Sequence, residues 1–193
     1  GTICNAIRKI YPDLHYSISM TTRAPRPGEI EGVSYFFRTN EEFEKLIKED
    51  AFLEYACVYD HYYGTPKRKV LDLIESGKSV LLEIDIQGAM QVKARYPKGV
   101  FIYIVPPSLE TLSARLYGRG TDSEDVIQKR LSEITNELSM AHKYDYMVVN
   151  DVLEEAVQKT CAILEAEKCK LSRNENHVET IFRQYINKEV PLK

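Results

Sequence analysis

Residues 79–105, SVLLEIDIQGAMQVKARYPKGVFIYIV, decide how this 193-residue chain folds. Two continuous apolar runs, 79–85 and 100–105, enclose a stretch of helical period over 87–95. Runs that do not alternate read as strands of a parallel sheet covered on both faces. Strand, helix and strand in that order imply a right-handed crossover and an α/β fold. The first run ends in Asp85, where a buried strand meets the next helix and where open α/β sheets receive ligands. An aspartate there can hold Mg²⁺ or accept from a ligand amine. Glu83 shares its face by period two. An ion pair or a helix cap would explain either acid equally well.

Outward from this segment the alternation continues. Upstream, helices are expected over 2–10, 40–48 and 67–75, and strands over 15–20, 34–38 and 52–58, with a short strand or turn at 62–64. Asn40 reads as a helix cap, Pro66 as a helix opener and Gly77 as a terminator. Downstream, Ser108 caps a helix over 109–117, a long charged helix covers 123–142, 146–150 is the last core strand, and a closing helix spans 153–168. Residues 34–64 hold more short strands than the rest and read as a small inserted lobe. Beyond residue 170, Ser172 and Glu175 suit a capping box. There Val178, Ile181, Phe182, Tyr185 and Ile186 share one face, which predicts a helix docked on its own domain.

Composition bounds the function. The chain is 44% apolar, enough for a core, and its net charge of -3 excludes a general nucleic-acid binder. Cys4, Cys57, Cys161 and Cys169 lack metal or redox spacing. With neither a signal peptide nor an apolar run of membrane length, the expectation is a cytoplasmic protein with reduced thiols and no membrane partner. The opening, GTICNAIRKI, reads as a helix already under way, so the natural protein is expected to begin upstream of Gly1.

Three further constellations carry chemistry. In residues 17–37, SISMTTRAPRPGEIEGVSYFF, Arg23 and Arg26 project from a segment stiffened by Pro25 and Pro27, with Tyr35 on the following strand. Two planar, five-donor cations beside hydroxyls suit a phosphate monoester, although a solvated basic loop has the same composition. In residues 52–65, FLEYACVYDHYYGT, Glu54 sits within an apolar strand. A buried carboxylate needs donors, and guanine offers two in parallel where adenine presents an acceptor. An outward-facing strand glutamate is the plainer alternative. In ARLYGRGTDSEDVIQKR, Arg115, Arg119 and Arg130 bracket two glycines, as a mobile lid or a charged helical face would.

Taken together, these blocks, with YDYMVVND near the end, resemble guanylate kinase over nearly the whole chain to about Lys168, in a bacterial style. The resemblance implies a parallel-sheet P-loop kinase core (1–33, 65–117 and 143–169), a mixed-β GMP-binding lobe (34–64), a helical lid (118–142) and a C-terminal extension. It implies that Arg23, Arg26, Tyr35 and Tyr63 hold the GMP phosphate, and that Ser19, Glu54, Thr65 and Asp85 read guanine. Arg115, Arg119 and Arg130 look like lid arginines on ATP and the transferred group, with Arg23, Arg119 and Arg130 catalytic. Asn150 sits where the family contacts adenine. Mg²⁺ would accompany ATP, with Thr2 and Asp85 as the candidate contacts. The reaction implied is ATP + GMP → ADP + GDP, with a homodimer in view. The alternative is a catalytically silent guanylate-kinase-like domain that binds proteins. One departure is plain. The family opens on a strand and a Gly-rich phosphate loop with Lys, of which only Gly1 and Thr2 match the end.

Overall fold

A computed structural model of the chain describes residues 1–118 and 124–187. Helix α1 (Thr2–Ile10) leads to β1 (His15–Tyr16), β2 (Met20–Thr21), β3 (Phe36–Phe37), α2 (Asn40–Lys48), β4 (Phe52–Val58), β5 (His61–Pro66) and α3 (Lys67–Glu75). After these come β6 (Val80–Leu81), α4 (Ile86–Arg95), β7 (Ile102–Val105), α5 (Leu109–Gly118) and α6 (Glu124–Ser139). Strand β8 (Tyr146–Val149), α7 (Leu153–Cys169) and α8 (Glu175–Asn187) complete the order.

The α/β class is borne out by two parallel pairs, β1 with β6 and β7 with β8. A third, four-stranded sheet has the order β3-β2-β5-β4, with β2 parallel to β3 and antiparallel to β5. The strand expected over 15–20 is thereby divided. The Ser17 amide still donates to Leu81 (3.0 Å), continuing the β1–β6 ladder, whereas the Ser19 carbonyl accepts from Phe36 (2.9 Å) in the four-stranded sheet. One extended segment thus joins the parallel core to the mixed sheet. Coverage of the parallel strands is also less complete than their apolar runs predict. Ile104, Met147 and Val149 stay exposed, and 79–85 ladders only at Val80 and Leu81.

The core sits where α3 and α4 meet β4 and β6. Leu53, Val70, Ala89, Val92 and Phe101 are buried together, with Leu82, Ile84 and Tyr144 packed on them. A second nucleus lies under the mixed sheet. Phe43 of α2 is fully buried between the rings of Phe52 (4.4 Å) and Tyr62 (5.2 Å), both near-parallel stacks. Gly64 makes room for it, since a Cβ there would lie 2.8 Å from the Phe52 ring.

Several helix ends differ from expectation by a residue or more. The cap of α2 is Thr39, one residue earlier than Asn40, because Thr39 and Glu42 close a reciprocal capping box. Helix α3, by contrast, ends at Glu75 as expected, and Gly77 beyond it takes the left-handed φ of +77° that a glycine permits. The long helix ends at Ser139 and tightens into a 3₁₀ turn over Ala141–Lys143, so His142 lies outside α6.

The largest correction concerns α8. Its apolar stripe is not docked: Val178, Ile181, Phe182, Tyr185 and Ile186 are all exposed, Phe182 by 62%. Ser172 does not start the helix but falls in a 3₁₀ turn, Leu171–Arg173. The turn is pinned from α7 instead. Glu167 accepts from Tyr146 Oη (2.7 Å), Lys170 Nζ (3.2 Å) and Arg173 Nε (3.1 Å), and the Asn174 amide donates to the carbonyls of Lys168 and Lys170. These bonds hold the turn that precedes α8.

Candidate active site

The mixed sheet assembles most of the residues singled out in the sequence. In the β4–β5 hairpin Glu54 pairs with Thr65, and a β-bulge between Phe52 and Glu54 breaks the alternation of faces. Phe52, Leu53 and Glu54 are consequently buried in succession. Thr65 Oγ1 donates to Glu54 Oε1 at 2.5 Å, and both residues are fully enclosed. Burial pushes the Glu54 carboxyl up to about 7; the Thr65 hydrogen bond opposes this and the Asp85 carboxylate adds to it. The β2–β5 register sets Met20 opposite Gly64, so Ser19 lies one step along, opposite Thr65.

Helix α4 forms the other wall. Asp85 caps it, its Oδ1 accepting from the amides of Gln87 (2.8 Å) and Gly88 (3.1 Å). Gln91 fastens the helix to β4, donating to the Tyr55 carbonyl (2.7 Å) and accepting from its amide (3.3 Å). This clamp brings Gly88 against Glu54 so closely that any Cβ at position 88 would collide with the carboxylate. Gly88 is a site residue the sequence reading missed. Its signal was a small residue in the first turn after a helix-capping acid.

The phosphate candidates meet on the same sheet. Thr21 is registered with Tyr63, and two residues on, Arg23 turns back over the Tyr35 ring, 5.5 Å from its centroid. Tyr35 and Tyr63 pack edge to face at 6.1 Å. Burial raises the Tyr35 hydroxyl, helped by Tyr63 and opposed by Arg23.

A second missed residue, Glu29, organises the loop. Arg23 Nη2 donates to both its oxygens (2.8 and 3.0 Å), and the Arg26 amide donates to Oε2 (2.8 Å). Burial alone would raise Glu29, but these donors hold it below the usual carboxylate range. The acid three residues after Arg26 was legible as a partner for a pair of guanidiniums.

The remaining candidates lie elsewhere. Arg115 of α5 donates to the carbonyls of Asn150 (2.6 Å) and Asp151 (3.0 Å), which joins two residues assigned to one nucleotide. Arg130 is half-buried on α6, over the Tyr59 ring. On the same helix Glu137 is raised by burial and by the carboxylates of Glu133 and Asp85. Gly1 and Thr2 begin α1, with the Gly1 nitrogen against Glu83, which also accepts from Tyr16 Oη (3.1 Å). Arg119 lies outside the described residues. Among the described residues no three acids, histidines or cysteines group as a metal site, and no helix is long and apolar enough to cross a membrane.

One sheet thus carries a buried carboxyl group and, beside Tyr35 and Tyr63, the Arg23 guanidinium. The chain also has well-matched relatives. Residues 2–167 match the family described as Guanylate kinase. The chain is 54% identical to a guanylate kinase of Caldanaerobacter subterraneus subsp. tengcongensis, over 91% of this chain and 85% of that protein. It is 51% identical to a guanylate kinase of Desulfitobacterium hafniense, over 90% and 86%. The crystal structure of guanylate kinase from Anaplasma phagocytophilum superposes with a TM-score of 0.78 at 35% identity, covering 89% of this chain and 84% of that one. On this match and these relatives, the chain belongs to the guanylate kinase family and is a phosphotransferase.

Proposed function

We propose that this chain transfers the γ-phosphoryl group of ATP to GMP, giving ADP and GDP in purine nucleotide metabolism. The observation that carries the reading is Glu54, a buried carboxylate fixed by Thr65 and walled by Gly88. The carboxylate would accept side by side from guanine N1–H and the 2-amino group, with Ser19, Thr65 and Asp85 also reading the base. Adenine leaves that carboxylate without donors and costs its full desolvation. Arg23, Arg26, Tyr35 and Tyr63 hold the GMP phosphate. Arg115 and Asn150 bind ATP together with Gly1 and Thr2, and Arg119 and Arg130 neutralise the group in flight.

No general base is needed. A phosphate monoester has its second pKa near ~6, so the attacking oxygen is already ionised at neutral pH. The barrier is the meeting of two polyanions, which the arginines lower by offsetting charge where it develops. The donor set fits Mg²⁺, which takes oxygen ligands, keeps several waters and needs few protein contacts beside nucleotide phosphates. Thr2 and Asp85 would supply those contacts, and the ion would neutralise phosphate charge. We assign 1–33, 65–117 and 143–169 to the core, 34–64 to the GMP lobe, 118–142 to the lid and 170–193 to an extension. Four unpaired cysteines support a reducing cytoplasmic setting.

The reading extends to a homodimer joined through α8. Glu179 and Arg183 flank its exposed stripe, so an antiparallel pair sets acid against base across the seam. Light scattering on Ile181→Glu should give half the parent mass; a monomeric parent removes the dimer.

The test of the activity is a panel of acceptors. ATP-dependent ADP formation should be fastest with GMP and slow with AMP, CMP and UMP. A preference for any of those three contradicts the assignment.

A further inference from the structure

Strands β4 and β5 are joined by Tyr59 and Asp60, both left-handed, with φ of 50° and 66°. Two positive φ values in a two-residue hairpin make a type I′ turn, which Asn-Gly fills with least strain. A bulky aromatic at its first position costs on the order of 1 kcal/mol or more. Nothing in the local backbone asks for tyrosine. The reason lies across the cleft, on α6. The Arg130 guanidinium carbon sits 4.9 Å from the Tyr59 ring centroid, and Lys129 Nζ lies 6.0 Å from the same ring and 3.5 Å from the Asp60 carboxylate. Burial raises the Tyr59 hydroxyl, and the carboxylates of Glu133 and Glu137, further along the helix, add to it while Arg130 opposes it. Successive turns of one helix face therefore clasp the tip of the hairpin.

We propose that Tyr59 is a positioning residue, its ring face holding the Arg130 guanidinium over the cleft so that the hairpin that grips GMP also places the lid. This rests on the reading of Arg130 as a phosphate-contacting cation. The same two-stranded ribbon carries Glu54 and Thr65 at its base, Tyr63 along its length and Tyr59 at its end. Because the ring already lies under Arg130, any shift of the ribbon onto GMP would carry the guanidinium with it. A guanidinium over a partly desolvated ring is a stronger contact than the exposed Lys129–Asp60 pair beside it, which contributes little. The strained tip and the contact explain each other, because a better turn sequence would give up the ring.

Three variants of the full chain test this. The double variant Tyr59→Asn with Asp60→Gly suits the turn and should melt at a higher temperature than the parent. Its kcat with ATP and GMP should nevertheless drop about tenfold, with KM for GMP within about twofold. Tyr59→Phe keeps the ring face and should keep kcat. Parental kcat in the Asn-Gly variant overturns the proposal, as does a Tyr59→Phe loss equal to that of the double variant. Tyr59→Trp introduces the sole tryptophan of the chain. Adding Arg130→Ala to it should shift the emission to the red, and unchanged emission means the contact does not exist. That signal needs no turnover. A protein inactive on GMP would sink the proposed function while the fluorescence still decided the clasp.

Discussion

At the scale of single residues, Glu54, proposed as the guanine reader, has a pH signature. Its carboxyl moves from 4.5 in the unfolded chain to about 7 when folded, chiefly through burial. A raised folded value means that the folded state binds the proton more tightly, so stability is highest below the unfolded value and is lost as pH rises through about 7. Guanine needs the ionised form, so GMP affinity should run the other way and tighten from pH 6 to pH 8. Thermal melting across pH 4 to pH 8 without GMP should show that loss, and Glu54→Gln should flatten it; an equally steep fall in the variant would assign the effect elsewhere. Gly88→Ala should abolish GMP binding while leaving the fold intact, because its methyl group occupies the place of the carboxylate; circular dichroism and titration with GMP check both halves. Glu54 was legible as a costly acid in an apolar strand. Its burial was not, because strict alternation turns it outward once Leu53 faces in, and the bulge that reverses this has no signature in composition.

At the scale of elements, local chemistry fixed some boundaries better than others. Helices α1, α2 and α3 and strand β4 fall where periodicity and punctuation put them, since each signal is contained within its own segment. The division of 15–21 between two sheets was not readable, because it depends on partners far along the chain, Leu81 for one half and Phe36 for the other. The same holds for α8, whose stripe predicts a docking surface but not where that surface is. The α2 cap illustrates competition between neighbours: Thr39 wins over Asn40 because Glu42 lies three residues from it. Thr39→Ala should therefore destabilise the protein by about 1 kcal/mol, measured by denaturant melts. Asn40→Ala should change it far less, and equal losses would return the cap to Asn40.

At the scale of the whole molecule, Arg115 of α5 ties the chain after β8 through the Asn150 carbonyl, while the mixed sheet carries Glu54 and Tyr63, with Arg23 just beyond β2. The family was legible because its blocks are long, ordered and spread over most of the chain. Contacts between the blocks were not, since Tyr59 with Arg130 and Glu54 with Gly88 join segments that carry no shared local pattern. Arg26→Ala should raise KM for GMP and lower turnover, as expected when one of two cations around a phosphate is lost; unchanged kinetics would move the phosphate off this loop. The central claim is that a buried carboxylate selects guanine over adenine. Isothermal titration of GMP and AMP into the parent and Glu54→Gln addresses it without any demand on catalysis. The parent should bind GMP at least about tenfold more tightly than AMP, and the variant should lose most of that ratio. Equal affinities in the parent, or an unchanged ratio in the variant, would contradict it.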